Sequence, residues 1–495
     1  MALNDRSGTR ALPSRRFAKS ARLAALVAGL LAVVLLLHAA AARRLLAGGT
    51  LKRLLNTAPE ASAFDWDEAT SVVPGRVRVR GFRLSGNDGK TAWTLRLEEA
   101  RLTYSVLELA ARRFHVTALS GSGLSFRAEP AAPAPRREPA RDSRSPWTVR
   151  VDAIAVERLS EIAIAHYRFA GTARLRGRFR LTPHRAAEVG PAEIAIEDGT
   201  LRLRSDPMLA FDRGGRIAAR IAPWDPRELP GAAVWRRVSG EVRLEGAVPG
   251  LAFLNHYIHE PPSVRFGGGT GRARVEARIE GGVARGEARL SPAKVRAEGS
   301  DFRLSGDVRA ELRIVRWPLE GGPADLSGSE VELTDVSGNH ETAYAWWGRF
   351  DFPRAAWGRV FEARLRARCL DARPLLAVAH VAPPKIARRA FSLEGLSLTA
   401  DLAAGPGRLA VRNLDAKGEK VQVEGEYRKD GARTDGVFWI DAGKINVGLS
   451  FEGGRAHWRP IPTRRWFEQR RDEIGRDDFD SASRGYARSI TTAVP

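Results

Sequence analysis

Ala173-Arg174-Leu175-Arg176-Gly177-Arg178-Phe179-Arg180-Leu181 alternates apolar and cationic residues without a break. Successive side chains of a β-strand point to opposite faces, so this period of two buries one face and wets the other. The same pattern recurs on both sides of it. Val77 and Val79 alternate with Arg76, Arg78 and Arg80; Trp93, Leu95 and Leu97 alternate with Thr94, Arg96 and Glu98; Leu102 and Tyr104 alternate with Arg101 and Thr103. Further runs include Leu201/Leu203, Val242/Leu244, Val275/Ala277/Ile279, Ala363/Leu365/Ala367/Cys369, Val421/Val423 and Ile445/Val447/Leu449.

Short turn signals separate the runs, among them Asp198-Gly199, Gly281-Gly282, Asp430-Gly431 and Gly453-Gly454. Helical stretches are few. Gly250 to His259 and Asp371 to His380 each suit about two turns, and Leu45 to Leu55 suits a short helix interrupted at Gly48-Gly49. No βαβ spacing is visible, which argues against a doubly wound parallel fold. Some 400 residues at roughly 13 to 15 per strand plus turn make about 27 to 31 strands. A twisted antiparallel sheet of that size closes, stacks on another sheet, or has its apolar face covered by something else. A sheet curled into a trough offers that face to long apolar ligands.

The chain has 495 residues, of which 43% are hydrophobic, so wholesale disorder is excluded. Its one cysteine, Cys369, rules out an intramolecular disulfide and any Cys-based metal cluster. Net charge is +22, and nearly all the cations are arginine, with only nine Lys. Such Arg enrichment also follows from a GC-rich genome, so high pI alone does not point to nucleic acid. The charge is uneven: residues 1–53 carry ten basic side chains and one acid.

That basic segment surrounds Leu23 to Ala42, a 20-residue run with no charged side chain. About 20 residues at 1.5 Å each span the roughly 30 Å hydrocarbon layer. Arg15, Arg16, Lys19 and Arg22 precede the run; Arg43, Arg44, Lys52 and Arg53 follow it. The heavier N-terminal flank favours a cytoplasmic N-terminus and export of the rest. A cleaved signal peptide is the rival, because Ala39-Ala40-Ala41 resembles a small-residue cleavage site. The length of the run and Arg43-Arg44 directly after it favour a retained anchor. The expected segments are a basic cytoplasmic tail at 1–22, a transmembrane helix at 23–42, a first β segment at 43–129, a disordered Pro/Arg/Ser loop at 130–146, an elongated β segment at 147–463 and a charged tail at 464–495, helical at its start.

After the span comes Pro74-Gly75-Arg76-Val77-Arg78-Val79-Arg80-Gly81-Phe82-Arg83-Leu84, then Leu119-Ser120-Gly121-Ser122-Gly123-Leu124-Ser125-Phe126-Arg127. With Gly250 to Ile258, Gly267 to Gly271, Asp371 to Leu376, Gly425-Glu426-Tyr427 and Gly443 to Leu449, this layout resembles the AsmA-like superfamily of bacterial envelope proteins, which includes the TamB type. The resemblance covers most of residues 23–460 and rests on layout and phrase style, with no catalytic signature. It implies a mainly β fold, an N-terminal transmembrane helix followed by an elongated, curled antiparallel β-sheet, a taco-like groove, with a few short helices. It implies a single-pass protein of the bacterial inner membrane whose bulk lies in the periplasm. The implied role is support of phospholipid transport or outer-membrane homeostasis, with membrane lipids and an outer-membrane or periplasmic protein as partners, no nucleic acid, no cofactor and no catalysis. A scaffold assisting envelope protein assembly is the alternative. The expected groove lining is Val77, Val79, Leu95, Leu97, Leu102, Leu175, Phe179, Leu201 and Leu203. Inward Ala, Gly and Val favour a ligand channel, whereas inward Phe, Trp and Leu favour a packed core.

Candidate chemistry is sparse. Gly86-Asn87-Asp88-Gly89-Lys90-Thr91 misses the phosphate-loop pattern, since Leu84 stands where the first glycine belongs. It reads as a hairpin turn. Ser291-Pro292-Ala293-Lys294 has Ser-x-x-Lys spacing without its companion motifs and reads as a turn between strands. His256, His259 and Glu260 are the densest group of potential metal ligands, but a site needs a third ligand in an ordered shell. Glu98-Glu99 and Asp477-Asp478 read as solvated charge, and Tyr344, Trp346 and Trp347 as core aromatics.

Overall fold

The structure, a computed structural model, describes residues 35–46, 62–87, 91–131, 148–182, 186–225, 231–257, 264–299, 302–338, 345–358, 360–372, 394–405, 407–431, 433–443, 445–453 and 455–475, with single residues 33, 49, 52, 53, 56 and 374. These are mainly β, in 24 strands with few helices. The predicted span at 23–42 lies only partly within them; Val33 and residues 35–46 are helical, with Leu36 70% and Leu37 66% exposed. No helix of the described residues is long and apolar enough to cross a membrane. Residues 132–146 of the expected loop, His259, Glu260, Tyr344, Asp477, Asp478 and most of Asp371 to His380 lie outside the described residues, while Pro130, at the start of that loop, is the last residue of a strand.

Two units emerge, residues 1–159 with 176–186, and residues 160–175 with 187–495. The division falls inside β6 (Thr148–Ile164) and β7 (Tyr167–Thr182). β7 bears out the alternation expected of it, with Ala173 fully buried and Arg174, Arg176, Arg178 and Arg180 exposed.

The first unit contains β1 (Ser62–Asp65), β2 (Glu68–Thr70), β3 (Arg76–Asn87), β4 (Thr91–Tyr104), the short helix α1 (Val106–Ala110) and β5 (Arg113–Pro130). β3 and β4 pair on either side of the predicted hairpin at Gly86 to Thr91. Register sets Val77 beside Leu102 and Leu119, Val79 beside Ala100 and Gly121, Phe82 beside Leu97 and Leu124, and Leu84 beside Leu95 and Phe126. The apolar positions are odd in β3 up to Val79 and even from Phe82. All three strands slip phase together, at the row holding Gly81, Glu98 and Gly123. Gly81 (φ +62°) and Gly123 (φ +69°) are left-handed there, a conformation open to glycine because it lacks Cβ. Since every strand slips, the ladder stays in register.

The second unit continues with β8 (Ala186–Leu203), β9 (Asp206–Phe211), β10 (Gly215–Trp224), β11 (Val238–Val248), β12 (Arg265–Glu280), β13 (Val283–Glu298), β14 (Arg303–Pro318), β15 (Ala324–Asp325), β16 (Ser329–Gly338) and β17 (Trp346–Trp357). It ends with β18 (Phe361–Cys369), β19 (Leu396–Gly405), β20 (Arg408–Lys417), β21 (Gln422–Asp430), β22 (Arg433–Asp441), β23 (Asn446–Glu452), β24 (Arg455–Arg459) and the helix α2 (Arg464–Gly475).

Three sequence expectations change here. Asp198-Gly199 is no turn: it lies inside β8, where Gly199 packs on the backbone of Gly171 and Asp198 accepts the Thr172 N–H at 3.0 Å. Ser291 to Lys294 also lies within a strand, as a bulge in β13. Lys294 is left-handed (φ +55°), and its N–H donates to Asp307 Oδ1 at 2.8 Å in place of a ladder bond. Ile445 precedes β23 and is 62% exposed. β23 itself is buried on both faces from Gly448 to Phe451, because α2 lies over one of them: a Cβ on Gly448 would strike Trp466. Of the predicted helices, Gly250 to His259 is observed as a shorter 3-10 turn at Ala252–His256.

Candidate functional site

Directly opposed residues of antiparallel strands share a face. Following opposed pairs across the second unit gives one row: Gly246, Ala273, Leu290, Ala310, Val331, Phe350, then Ala367, Leu398, Ala416, Val423, Ile440 and Val447. Every member is apolar, from β11 to β23. At roughly 4.8 Å between strands the stripe is about 50 Å long.

The neighbouring rows point to the other face and are charged. One runs Glu245, Arg274, Arg289, Glu311, Glu330, Asp351; the other runs Arg309, Glu332, Arg349, Arg368. Cross-strand ion pairs tie them, with Arg349 2.6 Å from Glu330 and Arg309 3.6 Å from Glu332. Each exposed pair contributes under about 1 kcal/mol, but together they keep this face in water.

The two ends of the stripe differ in filling. From β16 to β23 it is packed: Trp346 and Cys369 (each 1% exposed), Leu396 (2%), Ile440 and Leu449 form one core with Phe350 and Leu398 against it. Trp346 donates its indole N–H to the Asp371 carbonyl at 2.9 Å, as a core aromatic does. Burial pushes the Cys369 thiol up to about 12, so it stays protonated and inert. From β11 to β14 the face mixes Ala, Gly and Val with Leu244, Leu290 and Leu312 and is less completely filled, although Gly246, Ile279, Ala284 and Ala310 are buried. Val242 lies beside Ala277 and Gly286, Leu244 beside Val275 and Ala288, and Leu312 is 36% exposed.

Of the expected lining, β3 and β4 bring Val77, Val79, Leu95, Leu97 and Leu102 together. Val79 and Leu97 are buried, at 8% and 7%; Val77, Leu95 and Leu102 are half-buried. Leu175 and Phe179 are half-buried on β7; Leu201 is half-buried on β8 opposite Leu209, and Leu203 is buried. The residues of β11 to β14 were missed as a site. Their alternation is readable, but which runs align into one row depends on register.

Of the His256, His259 and Glu260 group only His256 is among the described residues. Its Nε2 meets Asp206 Oδ2 at 2.7 Å, and Asn255 beside it exchanges two hydrogen bonds with the Phe266 backbone, which pins the 3-10 turn to β9 and β12. Trp347 is 43% exposed rather than core. Among the described residues no group of three or more His, Cys, Asp or Glu side chains is placed to hold a metal ion. No family model matches the chain, no curated protein matches it in sequence, and no solved structure matches its fold.

Proposed function

We propose that this is an AsmA-like envelope protein, anchored in the bacterial inner membrane through Leu23 to Ala42, whose periplasmic sheet shelters lipid acyl chains. The observation that supports it is the apolar stripe from β11 to β23, backed by charged rows on the other face and less completely filled over β11 to β14. Each CH₂ removed from water is worth about 0.8 kcal/mol, so a two-chain lipid does not cross an aqueous gap unaided. A continuous apolar row lowers that barrier passively, without a reacting group. The Ala, Gly and Val lining of β12 and β13 leaves room for a chain; the packed core of β16 to β23 does not.

Mass spectrometry of lipids co-purified with the detergent-extracted protein tests the reading. Ala288→Asp and Leu290→Asp place a costly charge in the stripe. They are expected to abolish lipid recovery, while Arg285→Ser on the charged face leaves it intact. Equal recovery from both sets, or none from the wild type, overturns the carrier role. The filled core of β16 to β23 favours a second reading for that portion, a scaffold that contacts other envelope proteins. Lipid-free protein that still captures a discrete partner would support it.

A further inference from the structure

The charged face of the second unit holds a depression of about 550 Å³ where β14, β15 and β17 to β20 meet. Two rows build it. One runs Arg316, Asp325, Ala356, Glu362, Ala403 and Ala410, and its three alanine methyl groups leave a low floor on either side of Glu362. The next row on that face holds Arg354, Arg364, Asp401 and Arg412, each directly opposite the one before.

The charges of that row do not cancel. Arg354 faces Arg364, and like charges directly opposed on neighbouring strands repel. The one carboxylate of the row, Asp401, lies 3.9 Å from Arg364 and also accepts a hydrogen bond from Asn413 at 2.8 Å. At the β14 end of the floor row Arg316 is opposite Asp325, but that carboxylate accepts the Ser327 N–H at 2.9 Å instead. Among the described residues the guanidiniums of Arg316 and Arg354 have neither an ion pair nor a hydrogen bond. Four guanidiniums, those of Arg316, Arg354, Arg364 and Arg412, line the depression against the three carboxylates of Asp325, Glu362 and Asp401, and the two unmatched ones, on β14 and β17 at one end of the floor, form a cradle for an anion.

We propose that this depression binds a phosphate ester. The planar fork of arginine matches phosphate oxygens two at a time. The volume exceeds that of a bare phosphate ion and leaves space for the esterified alcohol. Asp401, between Arg364 and Arg412, is an acceptor for that alcohol's hydroxyl groups. A soluble sugar or glycerol phosphate and a phospholipid head group share this chemistry. The site stands whether or not the stripe on the other face carries acyl chains.

The test uses the full chain in detergent and two probes, glycerol 3-phosphate and the short-chain lipid dihexanoyl phosphatidylglycerol, titrated by phosphorus NMR line broadening. The R316S/R354S double variant breaks no ion pair, so its fold is retained. It is expected to weaken binding of the better probe at least tenfold, while R202S, which removes an exposed arginine from β8, leaves it unchanged. Tighter binding of the lipid than of glycerol 3-phosphate identifies a head-group site; equal or weaker binding identifies a soluble ester. Failure of the wild type to broaden either signal, or equal weakening by R202S, overturns the proposal.

Discussion

His115 lies between two carboxylates, with Nδ1 2.7 Å from Glu108 of α1 and Nε2 2.6 Å from Asp152 of β6. Asp152 first, and Glu108 second, hold its pKa above the ordinary value of 6.5. His115 in turn, followed by Arg150, holds the Asp152 carboxyl below its usual range. A raised base stabilises the fold fully below its unfolded value and loses that contribution as pH rises through the folded one. A lowered acid contributes above its unfolded value and fails as pH falls. The clasp is therefore strongest between these limits. Hydrogen-exchange protection of Val106 to Ala110 is expected to fall as pH rises above 6.5, beyond the intrinsic exchange trend, and to be low and flat in His115→Ala. Glu426 has the opposite problem. Beneath α2 it is 9% exposed, and burial raises its pKa, with Arg471 and Arg412 offsetting part of the shift. A raised acid favours the fold at low pH and loses that contribution as pH rises. Glu426→Gln is expected to raise the thermal midpoint at pH 8, by an amount that shrinks toward pH 4. No gain at pH 8 would mean that the carboxylate is solvated by movement of α2.

At the level of strands, the shared phase slip of β3, β4 and β5 is the feature most sensitive to single substitutions. Gly123→Ala requires a left-handed alanine, at about 1–2 kcal/mol, and its Cβ meets the Glu98 side chain, itself paired with Arg158. Gly431→Ala, in the β21–β22 turn, meets open space and incurs the conformational cost alone. Thermal unfolding is expected to rank Gly123→Ala as the more destabilising; equal effects would mean that Glu98 swings away freely. The strands themselves were legible because apolar and charged residues alternate, as in β7. The irregularities were not. Asp198-Gly199 and Ser291 to Lys294 carry the residue types of turns, yet contacts with Gly171 and Thr172 hold the first inside β8, and the second is a bulge whose Lys294 N–H is met by Asp307. β23 escaped the alternation rule because a helix arriving later in the chain covers its second face. For the same reason the stripe was only half visible. Its residues were recognised run by run, whereas their alignment is set by hairpin lengths and bulges that no local pattern encodes.

Across the described residues of the second unit, arginines stand in rows that also hold carboxylates, and along the sequence residues 1–53 carry ten basic side chains against one acid. On the proposed anchoring, alkaline phosphatase fused after residue 120 is active, because everything beyond Ala42 is exported. Activity confined to a cytoplasmic reporter at the same position would reverse the orientation. Within the second unit the order of pairing nearly follows the order of the chain: β11 to β15 and β17 to β24 each pair with the strand made just before, and β16 pairs with β14. Closing a short loop has a small entropic cost, so each hairpin can form as soon as its second half exists. A chain built this way can fold by successive zippering, beginning before synthesis or export is finished. At each stage the growing edge that is open to mispairing belongs to the newest strand, and the next strand to arrive covers it.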